Sequence, residues 1–442
     1  MNYVGLYTLG CKVSQYETEA IAEKFVQHGF EIRDFSEPCD VYVINTCTVT
    51  AESDRKCRQV IRRAIRSNPK AKVLICGCYS QRTPEELVSI DGVSAVIGSA
   101  DKLGLVECAE RLLQGLTPFP GSDDISKVTD IDLAPFEQMK ISSAPRTRVY
   151  VKIEDGCECR CSYCAIPSAR GKVRSKPKAQ VIDEVRALCE SGVYEVVLTG
   201  IETGSWGVDL PEKESLADLL CELDSLGFVK RIRLGSLAPE LIGKDFCDKV
   251  KNLKSLAPHF HISVQSGSDA VLRGMKRRYT RARALENLKR LKESIDGVEF
   301  TTDLIVGFPG ETEEDFLDTV SFVREIGFLD CHVFTYSRRK GTPADSYPDQ
   351  IPESIKGQRS EELIKVCREV RDEALSRIVA KGKPLSCVLE TRKGDGYTGH
   401  SDSFAEIFAR TCEGASCGMK GHEVKVEPLY HKDGMIYGDI II

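Results

Sequence analysis

The chain has 442 residues, 61 basic and 67 acidic, for a formal net charge of -6. A hydrophobic fraction of 41% and a charged fraction of 29% are those of a globular protein, which excludes wholesale disorder and a fibrous repeat. No run approaches the roughly 18 apolar residues of a membrane span, and the first residues lack the basic and apolar regions of a signal peptide, so a cytoplasmic protein is expected.

At about 150 residues per domain, this length allows three. From the N-terminus, strands at Tyr3–Thr8, Val41–Asn45, Lys72–Cys76 and Ala95–Ile97 alternate with helical patterns at Thr18–Gln27, Ala51–Ser67 and Leu103–Leu113, with a short segment at Pro84–Ser89. Such alternation predicts an open parallel α/β sheet over 1–116. Residues 117–145 hold Pro118, Pro120, Gly121 and no sustained period, and read as a linker.

A second alternating block spans 146–376. Strands are predicted at Val149–Ile153, Val196–Thr199, Ile232–Gly235, His261–Val264, Phe300–Val306 and Cys331–Thr335, with helices such as Lys178–Glu190 and Thr280–Ser294 in the gaps. Six βα units point to a full or partial (β/α) barrel whose working face is the carboxyl end of its strands. Ser354–Ala380 reads as one long charged helix. Residues 377–442 change to short strands at Leu385–Glu390, Phe404–Ala409, His422–Pro428 and Met435–Ile441, a small β-barrel or sandwich.

Nineteen cysteines are too sparse for a disulfide scaffold and many for a reduced enzyme, so clustered thiols point to metal or reactivity. The strongest cluster is Gly156-Cys157-Glu158-Cys159-Arg160-Cys161-Ser162-Tyr163-Cys164, after the first strand of the second block. Cys157, Cys161 and Cys164 stand in the pattern C-x3-C-x2-C. A structural zinc site wants four ligands, and ferredoxin loops use other spacings with a fourth cysteine. Three thiolates on a 4Fe-4S cube would leave one iron open for a substrate. Three more cysteines, Cys11, Cys47 and Cys78, each follow a strand of the N-terminal block. Parallel strands put their carboxyl ends on one edge, where ligands bind in open α/β sheets, so these thiols are predicted to converge on a second cluster.

The C-x3-C-x2-C loop, with Tyr163 before its last cysteine, resembles the radical S-adenosylmethionine superfamily. That resemblance implies an open iron that binds S-adenosylmethionine and yields a 5′-deoxyadenosyl radical. It also implies cofactor contacts at the strand ends: Thr199, Gly200 and Glu202 after the second strand, Ser266 after the fourth, Gly307 and Gly310 after the fifth, with Tyr163 in the loop. Two cysteine clusters, a partial barrel and a C-terminal domain similar to TRAM domains together resemble the methylthiotransferases of that superfamily, over essentially the whole chain. The string from Thr8 to Glu19, with Gly10-Cys11-Lys12, is similar to the branch acting on N6-threonylcarbamoyladenosine in tRNA, apart from Ser14 where Asn is usual. Arg231-Ile232-Arg233-Leu234, His259-Phe260-His261-Ile262 and His332-Val333-Phe334 also match. Gly235 and Cys159 depart from the expected Ser and polar residue, and Cys159 could compete for iron.

The resemblance implies two 4Fe-4S clusters, S-adenosylmethionine, an external electron donor, and the anticodon stem-loop as substrate, methylthiolated at carbon 2 of adenosine-37. No catalytic residue beyond the cluster ligands is expected. Isopentenyladenosine and a ribosomal-protein aspartate are rival substrates. An iron–sulfur electron carrier or redox sensor, or a zinc-stabilised RNA-binding module, is a rival of another class. Basic runs at Arg55–Arg66, Arg170–Lys178 and Arg273–Arg283 are candidate phosphate contacts. Cys412, Cys417 and His422 lack a fourth ligand for a metal site, and His259 and His261 read as structural.

Overall fold

The computed structural model describes residues 1–142, 147–411 and 418–441. Cys412 and Cys417 lie outside the described residues.

In the N-terminal region the order is β1 (Asn2–Thr8), α1 (Lys12–Gln27), β2 (Phe30–Arg33), β3 (Val41–Thr46), α2 (Ala51–Ser67), β4 (Lys72–Gly77), α3 (Cys78–Arg82), α4 (Pro84–Val88), β5 (Val93–Ile97), α5 (Leu105–Leu113) and β6 (Ser126–Lys127). The strands form one parallel sheet in the order β2-β1-β3-β4-β5-β6. All six residues of β3 are buried, as expected of a strand covered on both faces. The arginine-rich α2 turns Cys57, Ile61 and Ala64 inward.

The segment expected to be a loose linker is laid onto the molecule. Phe119, Ile131, Ala134, Phe136, Met139 and Ile141 are buried, and β6 extends the sheet. Single apolar anchors hold a chain against a surface without any period that a pattern search would detect.

The second region begins β7 (Arg148–Lys152), β8 (Glu154–Asp155), α6 (Ile166–Arg170), β9 (Arg174–Ser175), α7 (Lys178–Glu190), β10 (Glu195–Thr199), α8 (Leu216–Ser225), β11 (Arg231–Leu234), β12 (Ser236–Leu237) and α9 (Lys244–Val250). It continues β13 (His259–Gln265), α10 (Asp269–Gly274), α11 (Arg281–Ser294), β14 (Glu299–Val306), α12 (Glu313–Ile326) and β15 (Asp330–Thr335). The pairings β7-β10-β11 and β12-β13-β14-β15 are all parallel and meet at Gly235, between β11 and β12. No pairing among the described residues joins β15 back to β7, so the barrel is partial. Capping boxes Ser215/Asp218 and Thr312/Asp315 start α8 and α12, each satisfying two otherwise orphaned backbone donors.

Helix α13 (Glu353–Ala380) packs along β15 and ends against the last region, where Ala374, Leu375 and Ile378 enter its core. There β16 (Leu385–Lys393), β17 (Gly396–Ser401), β18 (Glu406–Arg410), β19 (Glu423–Lys432) and β20 (Met435–Ile441) close into a five-stranded barrel, order β16-β17-β18-β20-β19. One apolar cluster runs from Val4 of β1 and Tyr16 of α1 into Val149, Phe260 and Leu304 of the barrel. Among the described residues no helix is long and apolar enough to cross a membrane.

Candidate functional site

The loop after β8 is shaped by its backbone. Gly156 has φ +90°, and a Cβ there would lie 1.9 Å from the Lys172 carbonyl oxygen, so only glycine fits. Arg160 also takes a positive φ, 47°. Each of the three expected ligands receives a donor. The Cys159 N–H donates to Cys157 Sγ at 3.4 Å, the Ile166 N–H to Cys164 Sγ at 3.4 Å, and the Arg277 guanidinium to Cys161 Sγ at 3.4 Å. Donors aimed at three sulfurs favour thiolates, the form that binds metal. Burial pushes the Cys164 thiol up to about 12, a cost that metal binding would have to overcome. The hydrogen bond between the Cys157 and Cys159 side chains, then burial, pushes the Cys157 thiol up, and the same bond brings Cys159 down to about 6. Cys159 is therefore a fourth sulfur beside the set.

The dispersed triad also comes together. Cys11 caps α1, Cys47 follows β3 and Cys78 opens α3, at the carboxyl ends of three adjacent strands. Gly10 has φ +128°, and a Cβ there would stand 3.3 Å from Cys47 Cβ, so the Cys11 turn lies directly on Cys47. Burial pushes the Cys47 thiol up to about 11, with the Cys78 and Cys11 thiols adding to the shift. Burial likewise raises Cys78, opposed by Arg170, whose Nε donates to Cys78 Sγ at 3.1 Å. Among the described residues, neither triad has all its sulfurs within 4.8 Å of one another.

The two triads are joined by a buried ionic network that the sequence reading missed. Arg170, at the end of α6, binds Glu17 of α1 at 2.5 Å and Asp155 at 3.2 Å. Glu17 also receives Lys102 at 2.9 Å and Lys152 at 2.8 Å, and Lys152 pairs with Asp155 at 2.6 Å. Burial opposes ionisation of Glu17, yet Arg170, Lys102 and Lys152 hold its carboxyl well below the usual range. Asp155 lies two residues before Cys157 and Arg170 touches Cys78, so one set of charges indexes both sites. This corrects the expectation for the second basic run. Arg170 and Lys176 are fully buried in ion pairs, with Glu17 and Glu184, and are not available to phosphate.

Of the expected cofactor contacts, Thr199 is buried at the end of β10 and a Cβ on Gly200 would meet Glu154 Oε2 at 2.4 Å. Glu202 accepts the Ala238 N–H, and burial pushes its carboxyl up to about 8, leaving it protonated near neutrality. Tyr163 packs with Met275, Phe308 and Tyr336. Ser266 is bound into a network with Ser268 and Thr319. Gly307 has φ +71°, and its N–H donates to Glu311. Gly310, exposed, donates its N–H to Asp349, and a Cβ there would meet nothing within 4 Å.

Inside the barrel, Asp303 accepts from His261 Nε2 at 3.2 Å and His332 Nδ1 at 3.0 Å, the one group among the described residues with three ligand-type atoms within 4.8 Å. Burial works against the charge on Asp303, but the two imidazoles hold its carboxyl well below the usual range. His259 stacks on Phe404 of the C-terminal barrel at 4.4 Å, so the reading of His259 as structural agrees with its surroundings. On the surface, Arg273, Arg278 and Arg283 line one depression with Tyr279, and Arg278 donates to the Glu158 carbonyl of the cysteine loop.

The chain is similar to known proteins in both of these regions. Residues 151–323 match the model of the radical SAM superfamily, and residues 3–98 that of the uncharacterized protein family UPF0004. The chain is 39% identical over 99% of its length to the threonylcarbamoyladenosine tRNA methylthiotransferase of Bacillus subtilis, covering 96% of that protein. It is 36% identical over 87% of its length to the Aquifex aeolicus protein of the same description, covering 92% of it. A tRNA-2-methylthio-N(6)-dimethylallyladenosine synthase of Methylacidiphilum infernorum is 31% identical over 89% of this chain and 85% of its own. Among solved structures, the radical S-adenosylmethionine methyltransferase TsrM of Kitasatospora setae shares the fold with a TM-score of 0.58, at 18% identity over 78% of this chain and 77% of its own.

Proposed function

The chain belongs to the radical S-adenosylmethionine tRNA methylthiotransferases, and from that membership we propose that it places a methylthio group on carbon 2 of N6-threonylcarbamoyladenosine, 3′ of the anticodon in tRNA. The observation that carries the reading is a pair of three-thiol sites linked through one buried residue, Arg170, which donates to Cys78 of one and pairs with Asp155, two residues before Cys157 of the other. Cys157, Cys161 and Cys164 would hold one 4Fe-4S cluster and Cys11, Cys47 and Cys78 the other. When bound, the clusters and S-adenosylmethionine supply the electron, the sulfur and the methyl group, with an external donor replenishing the electron.

The chain's own residues position and insulate. The N–H groups of Cys159 and Ile166 and the Arg277 guanidinium offset thiolate charge at the loop. Tyr163, Thr199, Gly200, Glu202, Ser266, Gly307 and Gly310 are the candidate S-adenosylmethionine contacts, with the buried Glu202 carboxyl holding its proton as a neutral group beside them. Arg273, Arg278 and Arg283 give the anticodon stem-loop a cationic approach that binds phosphate without reading sequence.

The test is nucleoside mass spectrometry of tRNA incubated with anaerobically reconstituted protein, S-adenosylmethionine and reductant. N6-threonylcarbamoyladenosine should gain the mass of a methylthio group. A gain on isopentenyladenosine alone would move the chain to the other branch, and cleavage of S-adenosylmethionine without any modified nucleoside would remove the reading.

A further inference from the structure

Residues 337–344 leave the carboxyl end of β15 and bond to the N-terminal region at several points. Arg339 Nη2 donates to Thr48 Oγ1 at 2.6 Å and to Asp54 Oδ2 at 2.7 Å. Thr48 is the residue after Cys47, and Asp54 lies in the first turn of α2. The N–H of Ala51, which opens that helix, donates to Ser337 Oγ at 3.2 Å. Arg82 ends α3, the helix that Cys78 opens. Its Nη2 donates to the Lys340 carbonyl at 2.6 Å and its Nε to Ser168 Oγ of α6 at 3.0 Å. At the far end of the segment, the Ala344 N–H donates to the Ser162 carbonyl at 2.9 Å, inside the cysteine loop. One short stretch therefore touches the neighbour of Cys47, the helix of Cys78 and the loop that carries Cys161 and Cys164.

The segment is braced to hold its shape. Thr342 donates its N–H and its hydroxyl to the Arg339 carbonyl, at 3.0 and 2.7 Å, and closes a turn with Gly341 at φ +84°. Arg339 and Asp54 leave only 7% and 14% of their side chains exposed. Arg339 Nε and Asp54 Oδ1 are buried without a hydrogen-bond partner. A buried ion pair with unmet polar atoms adds little to stability, and apolar side chains of like size often do as well or better. What this pair does supply is direction, because its bonds fix where Thr48, and Cys47 beside it, must stand.

We propose that Arg339 is a positioning residue for methylthio transfer, setting the Cys47 turn at a fixed separation from the cysteine loop so that both sites serve one substrate. The inference rests on the function proposed above. Arg339 bonds Thr48 and Asp54 rather than a cysteine, so each triad keeps its ligands without it, but the Cys47 turn is free to drift. A displacement of about 1 Å can cost about a hundredfold in a reaction that depends on placement.

The test uses anaerobically reconstituted full-length protein with tRNA, S-adenosylmethionine and reductant. It reads the ratio of 5′-deoxyadenosine to methylthiolated nucleoside. Arg339→Met should still hold about eight irons per chain. Its ratio should rise about tenfold, as cofactor cleavage continues while transfer falls. One nitrogen, Nη2, makes both bonds, so the ammonium of Arg339→Lys can replace it and should return the ratio to within about twofold of wild type. A second readout needs no turnover. The distribution of distances between the two reduced clusters, measured by pulsed EPR, should broaden in Arg339→Met and narrow again in Arg339→Lys. A wild-type ratio or a wild-type distance distribution in Arg339→Met would overturn the proposal and leave the proposed function standing. So would a fall of both products in step, the mark of a merely structural role. Where Arg339→Met does not fold, Thr48→Val decides, because it removes one acceptor and leaves no buried charge. It should raise the ratio about threefold, and an unchanged ratio would overturn the proposal. A wild type that cleaves S-adenosylmethionine without methylthiolating any nucleoside removes the proposed function and this inference together.

Discussion

Cys157, Cys161 and Cys164 share one loop between β8 and α6, whereas Cys11, Cys47 and Cys78 come from the ends of three strands that only the assembled sheet brings together. The loop needs Gly156 and a positive φ at Arg160, and its donors to sulfur include backbone N–H groups within the same loop or just past it. The dispersed triad depends on strand register, on Gly10 lying against Cys47, and on Arg170 arriving from the barrel to meet Cys78. A local site is set by neighbours in the chain, and a dispersed one inherits the stability of everything that positions it.

That contrast can be broken or sharpened in four ways. The largest effect is on chemistry. Cys161→Ala should abolish cleavage of S-adenosylmethionine, while Cys47→Ala should leave cleavage largely intact and remove methylthiolation, both read by chromatography of cofactor and nucleoside products. Normal methylthiolation by Cys47→Ala would mean that the dispersed triad is not a functional site.

Arg170→Met comes next, because it takes one cation from two buried carboxylates. Breaking such a buried pair costs about 3–5 kcal/mol, so denaturant unfolding should show a loss of that order. Iron content should fall at both sites, since the residue serves both.

Glycine substitutions separate the sites again. Gly156→Ala forces a Cβ onto the Lys172 carbonyl, and Gly77→Ala, at φ +100°, forces one to within 2.5 Å of Asn45 Oδ1 and 2.6 Å of the Thr46 carbonyl. Each should cost about 1–3 kcal/mol. Iron should be lost selectively, from the loop site in the first variant and the dispersed site in the second.

The smallest effect is expected at Glu195, whose ion-pair partners are Arg231 and Arg233. Burial opposes the charge on Glu195, yet Arg233 and Arg231 bring its carboxyl down from the ordinary 4.5 to about 2. A depressed carboxyl stabilises the fold above the unfolded pKa and loses that contribution as pH falls toward the folded one. The stability gap between wild type and Glu195→Gln should thus be constant from about pH 6 to 8 and narrow between about 4.5 and 2. Both iron sites should stay loaded at pH 7.

Much of this was legible in the chain. The strands carrying Cys11, Cys47 and Cys78 alternate clearly with helices, and a parallel order follows from that alternation. Other features were hidden for physical reasons. Helix α1 starts at Lys12, six residues before the predicted Thr18, because its cap, Cys11, offers no side-chain hydrogen bond to announce it. Strand β2 is a four-residue edge with one buried residue, too short for a period. Arg170 and Lys176 read as surface charge because their partners, Glu17 and Glu184, are supplied by other elements. Glu17 itself carried no local signal, since a buried glutamate on an amphipathic helix is recognisable only once its cations converge on it.

The most direct measurement counts iron and sulfide per chain in anaerobically reconstituted wild type, in the Cys11/Cys47/Cys78→Ala triple variant and in the Cys157/Cys161/Cys164→Ala triple variant. Two independent 4Fe-4S sites predict about eight of each in the wild type and about four in either variant. A triple variant that still holds about eight, or a wild type that holds only about four, would contradict the two-site account.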